Sequence, residues 1–314
     1  MDYILGVDGG GTKTIIRITD IRGNIIAEKI TGPSNFKKVD IGIAAENIVE
    51  GVFKTLHESN IETSEINFKS SCFGLAGLDS KKDEKIYREM IFDSPLVPFL
   101  DLKKTLICND SRIGLAAGTD KKNGIMIICG TGSNCFGINE EGMEVKADGW
   151  DFILGDECSG YEVGLRALRA VMRSYDKRGR ETILGQHILK KLNLEEIEDL
   201  IEWAYIDPFF CEKIAALAQI VCDCANLGDD VSTKILANAA DEAFITIRTV
   251  AEQLGFKNKD FDIVFVGSLF RCERYFKNLL CEKLEKVFSG INFTKLNDKP
   301  VAGAIKIALS LLKD

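Results

Sequence analysis

The segment 8–14, with the sequence Asp-Gly-Gly-Gly-Thr-Lys-Thr, constrains the fold of this chain more than any other feature. It joins two apolar stretches, Tyr3–Asp8 and Thr14–Asp20, which have the patterns of buried strands. Three consecutive glycines let the backbone approach a ligand closely and leave its N–H groups unshielded, as a phosphate-binding loop requires. Thr12 and Lys13 add a hydroxyl and a cation for phosphate oxygens. A plain hairpin turn needs only one or two glycines, so we favour phosphate binding.

The residues after the glycines exclude two common nucleotide-binding folds. The Gly-Lys-Thr/Ser of a Walker A loop is absent at the required spacing, and Gly-x-Gly-x-x-Gly fails because position 14 is Thr. Both of those motifs open a helix, whereas a strand comes next here. The segment therefore predicts a phosphate-binding β-hairpin.

A second glycine turn, 130–134 (Gly-Thr-Gly-Ser-Asn), repeats this arrangement. It joins the apolar strand Gly124–Cys129 to a second strand, Cys135–Asn139. Two such hairpins, each opening a mixed α/β segment, indicate a distant internal duplication. A nucleotide held between two lobes needs a phosphate-binding hairpin from each, so the pair predicts a two-lobed protein.

Asp110 follows the predicted strand Thr105–Asn109 and precedes a short helix at Ser111–Ala117. Ligands of α/β sheets bind at the carboxyl ends of strands, which places Asp110 well for a general base that orients and deprotonates an attacking hydroxyl. An aspartate at this position also caps the free N–H groups of a helix. Its position alone leaves both interpretations open.

The segment 149–160, Gly-Trp-Asp-Phe-Ile-Leu-Gly-Asp-Glu-Cys-Ser-Gly, is too specialised for an ordinary connection. Asp156 and Glu157 are candidates to accept hydrogen bonds from sugar hydroxyls, and the N-terminus of the next helix would supply N–H donors. Helix capping accounts for Asp156 and Ser159 but leaves Trp150 unexplained. Beyond this segment the patterns predict helices at Ser159–Tyr175, Thr182–Leu192, Leu194–Ala204, Pro208–Asn226 and Asp230–Leu254.

Gly267 ends an apolar strand, Asp262–Gly267, and Ser268 follows it before a helix. The turn suits an adenine or ribose packed against backbone, although an ordinary strand-to-helix turn has the same composition. The two histidines of the chain fall in predicted helices away from suitable partners, so neither a Ser-His-Asp triad nor a histidine metal site is expected.

Charge and composition limit the classes of partner, the location and the state of the cysteines that we expect. The net charge of -8 argues against nucleic acid, which requires a basic face. No run of 18 apolar residues occurs, so we expect no membrane span and a cytoplasmic location. The ten cysteines include no Cys-x-x-Cys pair and lie mostly in apolar runs, so we expect them to be reduced core residues.

The whole set resembles the N-acetylglucosamine kinase branch of the BadF/BadG/BcrA/BcrD-type ATPase family, within the actin/hexokinase/Hsp70 superfamily. The resemblance rests on motifs in the same order along the chain, namely 8–14, 74–79 (Gly-Leu-Ala-Gly-Leu-Asp), Asn109-Asp110, 130–134 and 149–161. It implies an α/β fold of two actin-like, ribonuclease H-like lobes with mixed sheets flanked by helices and a nucleotide cleft between them. One lobe would comprise residues 1–115 and 300–314, with the closing helix Val301–Leu312 crossing back onto it, and the other residues 116–299.

The resemblance further implies an ATP-dependent kinase that phosphorylates the 6-hydroxyl of an N-acetylated amino sugar such as N-acetylglucosamine, working with Mg²⁺ as a homodimer. Asp110 would be the catalytic base and Asp8 would hold Mg²⁺ through water. The nucleotide would contact Asp8, Gly10, Gly11, Thr12, Lys13, Gly130, Thr131, Gly132, Gly267 and Ser268. The sugar would contact Asn35, Ser133, Asn134, Gly149, Trp150 and Asp156. The preferred sugar stays open among N-acetylglucosamine, N-acetylmuramic acid, glucosamine and glucose.

Two positions depart from the family pattern, and one alternative function remains. Relatives commonly carry Gly where Asp151 and Cys158 stand, and a charge beside the sugar pocket leaves the preferred acyl group open. The same family includes ATPases that drive electrons into 2-hydroxyacyl-CoA dehydratases or benzoyl-CoA reductases, through an iron–sulfur cluster held between identical subunits by cysteines. Cys129 and Cys158 are the candidate ligands for that alternative.

Overall fold

A computed structural model describes residues 2–59, 66–205, 210–296 and 298–313. These residues form two compact units, Met1–Asp120 with Leu296–Asp314, and Lys121–Lys295. The strands are β1 (Asp2–Gly9), β2 (Thr14–Asp20), β3 (Ile25–Thr31), β4 (Asn67–Leu75), β5 (Thr105–Asn109), β6 (Gly124–Cys129), β7 (Ser133–Ile138), β8 (Glu144–Ala147), β9 (Phe261–Val266) and β10 (Ile291–Lys295). The helices are α1 (Ile41–Glu58), α2 (Lys81–Phe92), α3 (Asp110–Gly118), α4 (Asp151–Leu154), α5 (Gly160–Tyr175), α6 (Leu184–Leu192), α7 (Asp199–Tyr205), α8 (Phe210–Ala216), α9 (Ala218–Asn226), α10 (Asp230–Gln253), α11 (Asn278–Glu285) and α12 (Pro300–Ser310).

The first unit is built on a five-stranded mixed sheet in the order β3-β2-β1-β4-β5. The strands β1, β2 and β3 form an antiparallel meander, and β4 and β5 add in parallel to β1. Successive side chains of a strand point to opposite faces, and β1 is buried on both. Leu5 and Val7 pack with α1 and α2, whereas Ile4 packs with α3 and α12.

The helix α12 approaches the sheet closely because two glycines remove side chains from its contacts. A Cβ on Gly6 of β1 would lie 2.8 Å from Ile305 Cδ1, and a Cβ on Gly303 would lie 1.9 Å from the carbonyl oxygen of Ile113 in α3. Both are below any tolerable contact distance, so only glycine permits this packing. The C-terminal helix is thereby fixed against α3, the helix that begins at Asp110.

The second unit repeats the strand order of the first. Its sheet runs β10-β9-β6-β7-β8, so a meander of β6, β7 and β8 is again extended in parallel, here by β9 and β10. The predicted internal duplication is confirmed at the level of topology. Helices α5, α9 and α10 cover this sheet with buried residues such as Val163, Val221 and Ile247.

The helical region departs from prediction in two places. The predicted helix Pro208–Asn226 is two helices, α8 and α9, and its first residues lie outside the described part of the chain. The helices α5 and α8 cross closely at Gly164, where a Cβ would lie 2.0 Å from Ile214 O. Near this crossing the N–H of Leu217 bonds Ile214 O in a tighter turn. The predicted helix Leu194–Ala204 begins only at Asp199, because the Asp199 carboxylate accepts the N–H groups of residues 195 and 196 in a preceding turn.

The cysteine prediction was wrong for one pair. Cys222 and Cys272 form a disulfide, with Cα atoms 5.8 Å apart and a sequence separation of 50. The sequence could not show this pairing because it depends on how α9 packs against the segment after β9. The other eight cysteines are free, and six of them are buried as expected of small apolar residues.

Among the helices of the described residues, none combines the length and the apolar character needed to cross a membrane.

Candidate active site

The first glycine turn is packed against a second loop of the same unit. The turn closes where the N–H of Gly10 bonds Lys13 O at 2.9 Å, and the N–H groups of Ser34 and Asn35 both donate to Gly10 O at 3.0 and 3.2 Å. A Cβ on Gly9 would lie 2.4 Å from Ser34 Oγ. The glycines therefore serve packing as well as any ligand. Thr12 and Lys13 are exposed, and so available to a ligand.

Asn35 is held in this loop and is nearly fully buried. Its Oδ1 accepts the backbone N–H of Lys37 at 2.9 Å, and a Cβ on Gly77 would lie 2.5 Å from the same oxygen. Gly77 has a φ of +87°, which glycine adopts freely. The Tyr87 hydroxyl lies 2.7 Å from Ala76 O and 3.1 Å from Ser34 O, so it joins the two segments. The segment 74–79, singled out in the sequence, thus supports the predicted sugar residue.

The strand ends bring Asp8 and Asp110 to one edge of the first sheet. In the parallel register Asp8 pairs with Gly74, and the neighbouring Leu75 pairs with Asn109. Burial raises the pKa of Asp8 to about 6, the negative charge of Asp110 adds to the effect, and Lys13 opposes it. Two carboxylates that interact in this way are typical of a functional site.

The capping interpretation of Asp110 was wrong. The N-cap of α3 is Asn109, whose Oδ1 accepts the N–H of Ser111 at 2.8 Å while its Nδ2 donates to Leu78 O at 3.1 Å. Asp110 is instead the first residue of the helix, where the helix dipole favours an ionised carboxylate. Its charge is thus stabilised without the carboxylate being the cap.

The second glycine turn is closed against the start of α5. Gly130 N–H bonds Gly132 O at 2.9 Å, Gly160 N–H bonds Gly130 O at 2.7 Å, and Tyr161 N–H bonds Thr131 O at 3.2 Å. From the sequence, these helix N–H groups were expected to bind sugar hydroxyls. That prediction was wrong for Gly160 and Tyr161, because the turn itself uses their N–H groups.

Asp148 organises the segment that was predicted to bind sugar. Its Oδ2 accepts a hydrogen bond from the Ser133 hydroxyl, and its Oδ1 accepts the N–H of Asp156 at 2.7 Å. Sequence reasoning missed this residue, since the motif was taken to begin one position later, at Gly149. A Cβ on Gly149 would lie 2.9 Å from Asn134 Oδ1, so Ser133, Asn134 and Gly149 are brought together.

Asp156 presents a buried carboxylate beside the second glycine turn. A Cβ on Gly132 would lie 2.5 Å from Asp156 Oδ2, while Oδ1 is buried and has no hydrogen-bond partner among the described residues. Burial raises the pKa of Asp156 to about 6, and the charge of Asp148 adds to the rise. A buried acceptor without a partner costs free energy, which a ligand hydroxyl would recover.

The backbone of residues 148–156 is strained. Asp148, Asp151 and Asp156 adopt positive φ of 66°, 70° and 60°. Such conformations are costly for residues other than glycine and cluster at functional sites. A φ of +70° at Asp151 also gives a physical reason for the glycine that the family resemblance implies at this position.

Trp150 lies within this strained segment with its side chain 61% exposed. The Nζ of Lys146 lies 5.5 Å from the centroid of its ring. An aromatic face in this position is accessible to the apolar side of a ligand.

Gly267 and Ser268 lie at the end of β9. Gly267 has a φ of +114°, and a Cβ there would lie 2.2 Å from Cys129 O, so glycine is required by the packing alone. Ser268 borders a cavity of about 270 Å³ that is also lined by Ala215, Ala216, Gln219, Arg271 and Cys272. The predicted adenosine residues thus adjoin an open space within the second unit.

In the part of the chain that the structure describes, no group of three or more His, Cys, Asp or Glu side chains is arranged to hold a metal ion.

Comparisons with known proteins agree with these motifs. Residues 5–308 match the family described as the BadF/BadG/BcrA/BcrD ATPase family. The chain is 35% identical to the N-acetylmuramic acid/N-acetylglucosamine kinase of Clostridium acetobutylicum, and 32% identical to the N-acetyl-D-glucosamine kinase of Dictyostelium discoideum. Each alignment covers 99% of both chains.

A solved structure shares the fold. It is a Chromobacterium violaceum protein provisionally assigned as an N-acetylglucosamine kinase, with a TM-score of 0.71, 20% identity and 98% coverage of each chain. The predicted α/β class with mixed sheets flanked by helices is confirmed. Since the family pattern spans nearly all of the sequence and the relatives cover it from end to end, this chain belongs to the BadF/BadG/BcrA/BcrD ATPase family.

Proposed function

We propose that the protein is an ATP-dependent kinase that transfers the γ-phosphate to the 6-hydroxyl of an N-acetylated amino sugar, either N-acetylglucosamine or a close analogue. The full-length similarity to two kinases of such sugars supports the substrate class. The observation that carries the chemistry is the pairing of Asp110 with Asp8 at one sheet edge, beside the exposed Thr12 and Lys13.

In this proposal Asp110 is the catalytic base. A sugar hydroxyl is a weak nucleophile, and an ionised carboxylate within hydrogen-bond reach orients it and accepts its proton as the bond to phosphorus forms. Asp110 would be held ionised by the N-terminal end of α3, while Asn109 keeps the helix capped. Because α12 fixes the position of α3, proton transfer to Asp110 would need little rearrangement of the protein.

The nucleotide would contact both glycine turns. Its phosphates would contact Gly10, Gly11, Thr12 and Lys13 of the first turn and Gly130, Thr131 and Gly132 of the second, while its adenosine would contact Gly267 and Ser268. The N–H groups of Gly10 and Gly130 close their own turns, so the donors to phosphate would be backbone N–H groups of the other turn residues together with the ammonium of Lys13.

Asp8 would hold Mg²⁺ through water. Its buried carboxylate, with the charge of Asp110 nearby, is destabilised as an anion, and a divalent cation would relieve that cost. When bound, Mg²⁺ would supply neutralisation of the charge on the transferred phosphate.

The sugar would be recognised by the side chain of Asn35 and by the residues around the second glycine turn. The latter are Ser133, Asn134, Gly149, Trp150 and Asp156. The partnerless Oδ1 of Asp156 suits a sugar hydroxyl donor, and the exposed ring of Trp150 suits the apolar face of a pyranose.

Broader assignments rest on the family resemblance. We propose that residues 1–115 with 300–314, and 116–299, act as the two lobes of the kinase. We also propose that the protein is a homodimer that acts in cytoplasmic amino sugar metabolism.

The electron-transfer alternative fits the cysteines poorly. Cys129 and Cys158 are both buried, with sulfur atoms 3.7 Å apart, so they face the core of one unit and not the surface that a second subunit would share.

The position of phosphoryl transfer tests the proposal. N-acetylglucosamine should give ADP with MgATP, and its 6-deoxy analogue should bind competitively but give none. ADP release that depends on the 6-deoxy sugar would mean that a different hydroxyl is the acceptor.

A further inference from the structure

We propose that Lys38 is a second phosphate-binding cation, in addition to Lys13, and that it contacts the terminal phosphoryl group of ATP. Lys38 lies outside the motif 8–14. This inference rests on the proposed function, because it assigns a ligand to the same site.

The side chain of Lys38 lies directly over the glycine turn. A Cβ built on Gly11 would stand 2.8 Å from Lys38 Cδ and 3.4 Å from its Nζ. Any side chain at position 11 would therefore displace the lysine. The third glycine of the motif makes room for this cation as well as for a ligand.

The backbone that carries Lys38 is fixed to the turn. The carbonyl of Gly10 accepts two N–H groups from residues 34 and 35, and the carbonyl of Asn35 accepts the N–H of Lys38 at 2.9 Å and of Val39 at 3.1 Å. A short hydrogen-bonded turn thus runs from the proposed sugar residue Asn35 to Lys38. The backbone position of Lys38 is set by the same contacts that set the phosphate loop.

The neighbouring lysine has a different role. The Nζ of Lys37 bonds Asp79 at 3.1 Å and Asp83 at 2.9 Å, so its charge is already neutralised. Lys38, in contrast, forms no ion pair with any residue that the structure describes. Lys37 therefore forms a structural ion pair, whereas the adjacent Lys38 is available to a ligand.

The local charge balance calls for such a cation. Asp8 and Asp110 bring two carboxylates to this edge of the sheet, and Lys13 opposes them as the cation of the motif. Mg²⁺ held by Asp8 would offset part of this negative charge, and the phosphates of ATP would gain from a further cation beside the turn. The ammonium of Lys38, which lies beside Gly11, offers three donors to phosphate oxygens. A neutral sugar would gain much less from it.

Nucleotide binding without turnover tests the assignment. We would measure by calorimetry the binding of AMP, ADP and the β,γ-imido analogue of ATP to the wild type, Lys38→Met, Lys38→Arg and Lys37→Met, with Mg²⁺ and no sugar. Lys38→Met should weaken the triphosphate analogue about tenfold or more, on the scale of a lost hydrogen bond to a charged group, and leave AMP unchanged. Lys38→Arg should retain most of the affinity.

Lys37→Met is the matched control. It should keep nucleotide affinity but lower the melting temperature, since it leaves Asp83 without its cation. Equal affinity of the wild type and Lys38→Met for the triphosphate analogue would overturn the inference. An unchanged affinity of Lys38→Met for the triphosphate analogue, together with a raised KM for N-acetylmuramic acid, would also overturn the inference. That result would assign Lys38 to the carboxylate of the sugar. If the wild type itself bound no nucleotide, the proposed function would fail, which is a distinct result.

Discussion

Asp8 is half-buried near the end of β1 with its carboxyl close to the charge of Asp110, and desolvation and that charge together raise the pKa of Asp8 to about 6. Each carboxylate comes from a different part of the chain, one near the end of β1 and one at the start of α3. The parallel strand β4 lies between β1 and β5 and sets their registers. The topology of the first unit thus creates the pair on which the proposed chemistry depends.

Replacing Asp110 tests its role as the base. Asp110→Asn should lower kcat by about 10²-fold or more, the usual contribution of a positioned base, while sugar and nucleotide binding persist. Because Asn109 caps α3, the melting temperature should change little. Steady-state kinetics and thermal unfolding measure both effects. Asp93→Asn, an exposed position at the end of α2, is the control and should leave kcat unchanged. Full activity of Asp110→Asn would require another base.

The raised pKa of Asp156 predicts a pH-dependent stability. The folded protein holds this proton more tightly than the unfolded chain, whose pKa for aspartate is about 3.9. The stabilisation is therefore fully present below about pH 4 and is lost as the pH rises through about 6. Asp156→Asn stays neutral throughout. Relative to this variant, the wild type should lose free energy of unfolding between about pH 4 and pH 7.

Urea unfolding of the wild type and Asp156→Asn at several pH values measures this difference. A difference in the free energy of unfolding that stays constant with pH would show that Asp156 keeps an ordinary pKa in the folded protein.

The disulfide between Cys222 and Cys272 predicts a redox-dependent stability. It closes a loop with a sequence separation of 50, and a loop of that size restricts the unfolded chain enough to stabilise the fold by about 2–4 kcal/mol. A thiol reductant should lower the free energy of unfolding by that order, as measured by denaturant titration. The variant Cys222→Ser should already have the lower stability, and the reductant should change it no further. Equal stability of the oxidised and reduced wild type would contradict the prediction.

The close contact of α12 with α3 predicts that Gly303 cannot be enlarged. A Cβ there would meet Ile113 O at 1.9 Å and Ala117 N at 2.7 Å, and both are backbone atoms. Gly303→Ala should cost about 1–3 kcal/mol of stability, the usual range for overpacking, and lower kcat because α3 carries Asp110. Ala302→Ser on the same helix is the control, with a small effect on both. Unchanged stability of Gly303→Ala would show that α12 is free to move away.

Local patterns predicted the regular parts of the fold. The bounds of β2, β5 and β6 agree with prediction, because each is a clear apolar strand beside glycine or polar residues. The short strand β8 and the break between α8 and α9 were missed. Four residues carry little periodicity, and the break results from a helix crossing at Gly164 that no local pattern shows.

The contacts among the predicted site residues could be anticipated only in part from the sequence. Gly9 and Gly11 were interpreted as ligand-binding glycines, yet the absence of their side chains also leaves space for Ser34 and Lys38. Asp148 was missed because it lies just before the sequence motif, which begins at Gly149. The closeness of Lys38 to Gly11 was missed because it joins two loops that are distant in sequence. The capping alternative for Asp110 placed the cap of α3 one position too late, since both Asn and Asp favour such sites.

Sugar-dependent ADP release is the most direct test of the central claim. Purified protein would be assayed with MgATP across N-acetylglucosamine, N-acetylmuramic acid, glucosamine and glucose, in air and anaerobically with determination of bound iron. We predict ADP release that requires an N-acetylated amino sugar, with no dependence on iron. ATP hydrolysis independent of every sugar, accompanied by bound iron and sulfide, would contradict a sugar kinase and favour an electron-transfer ATPase.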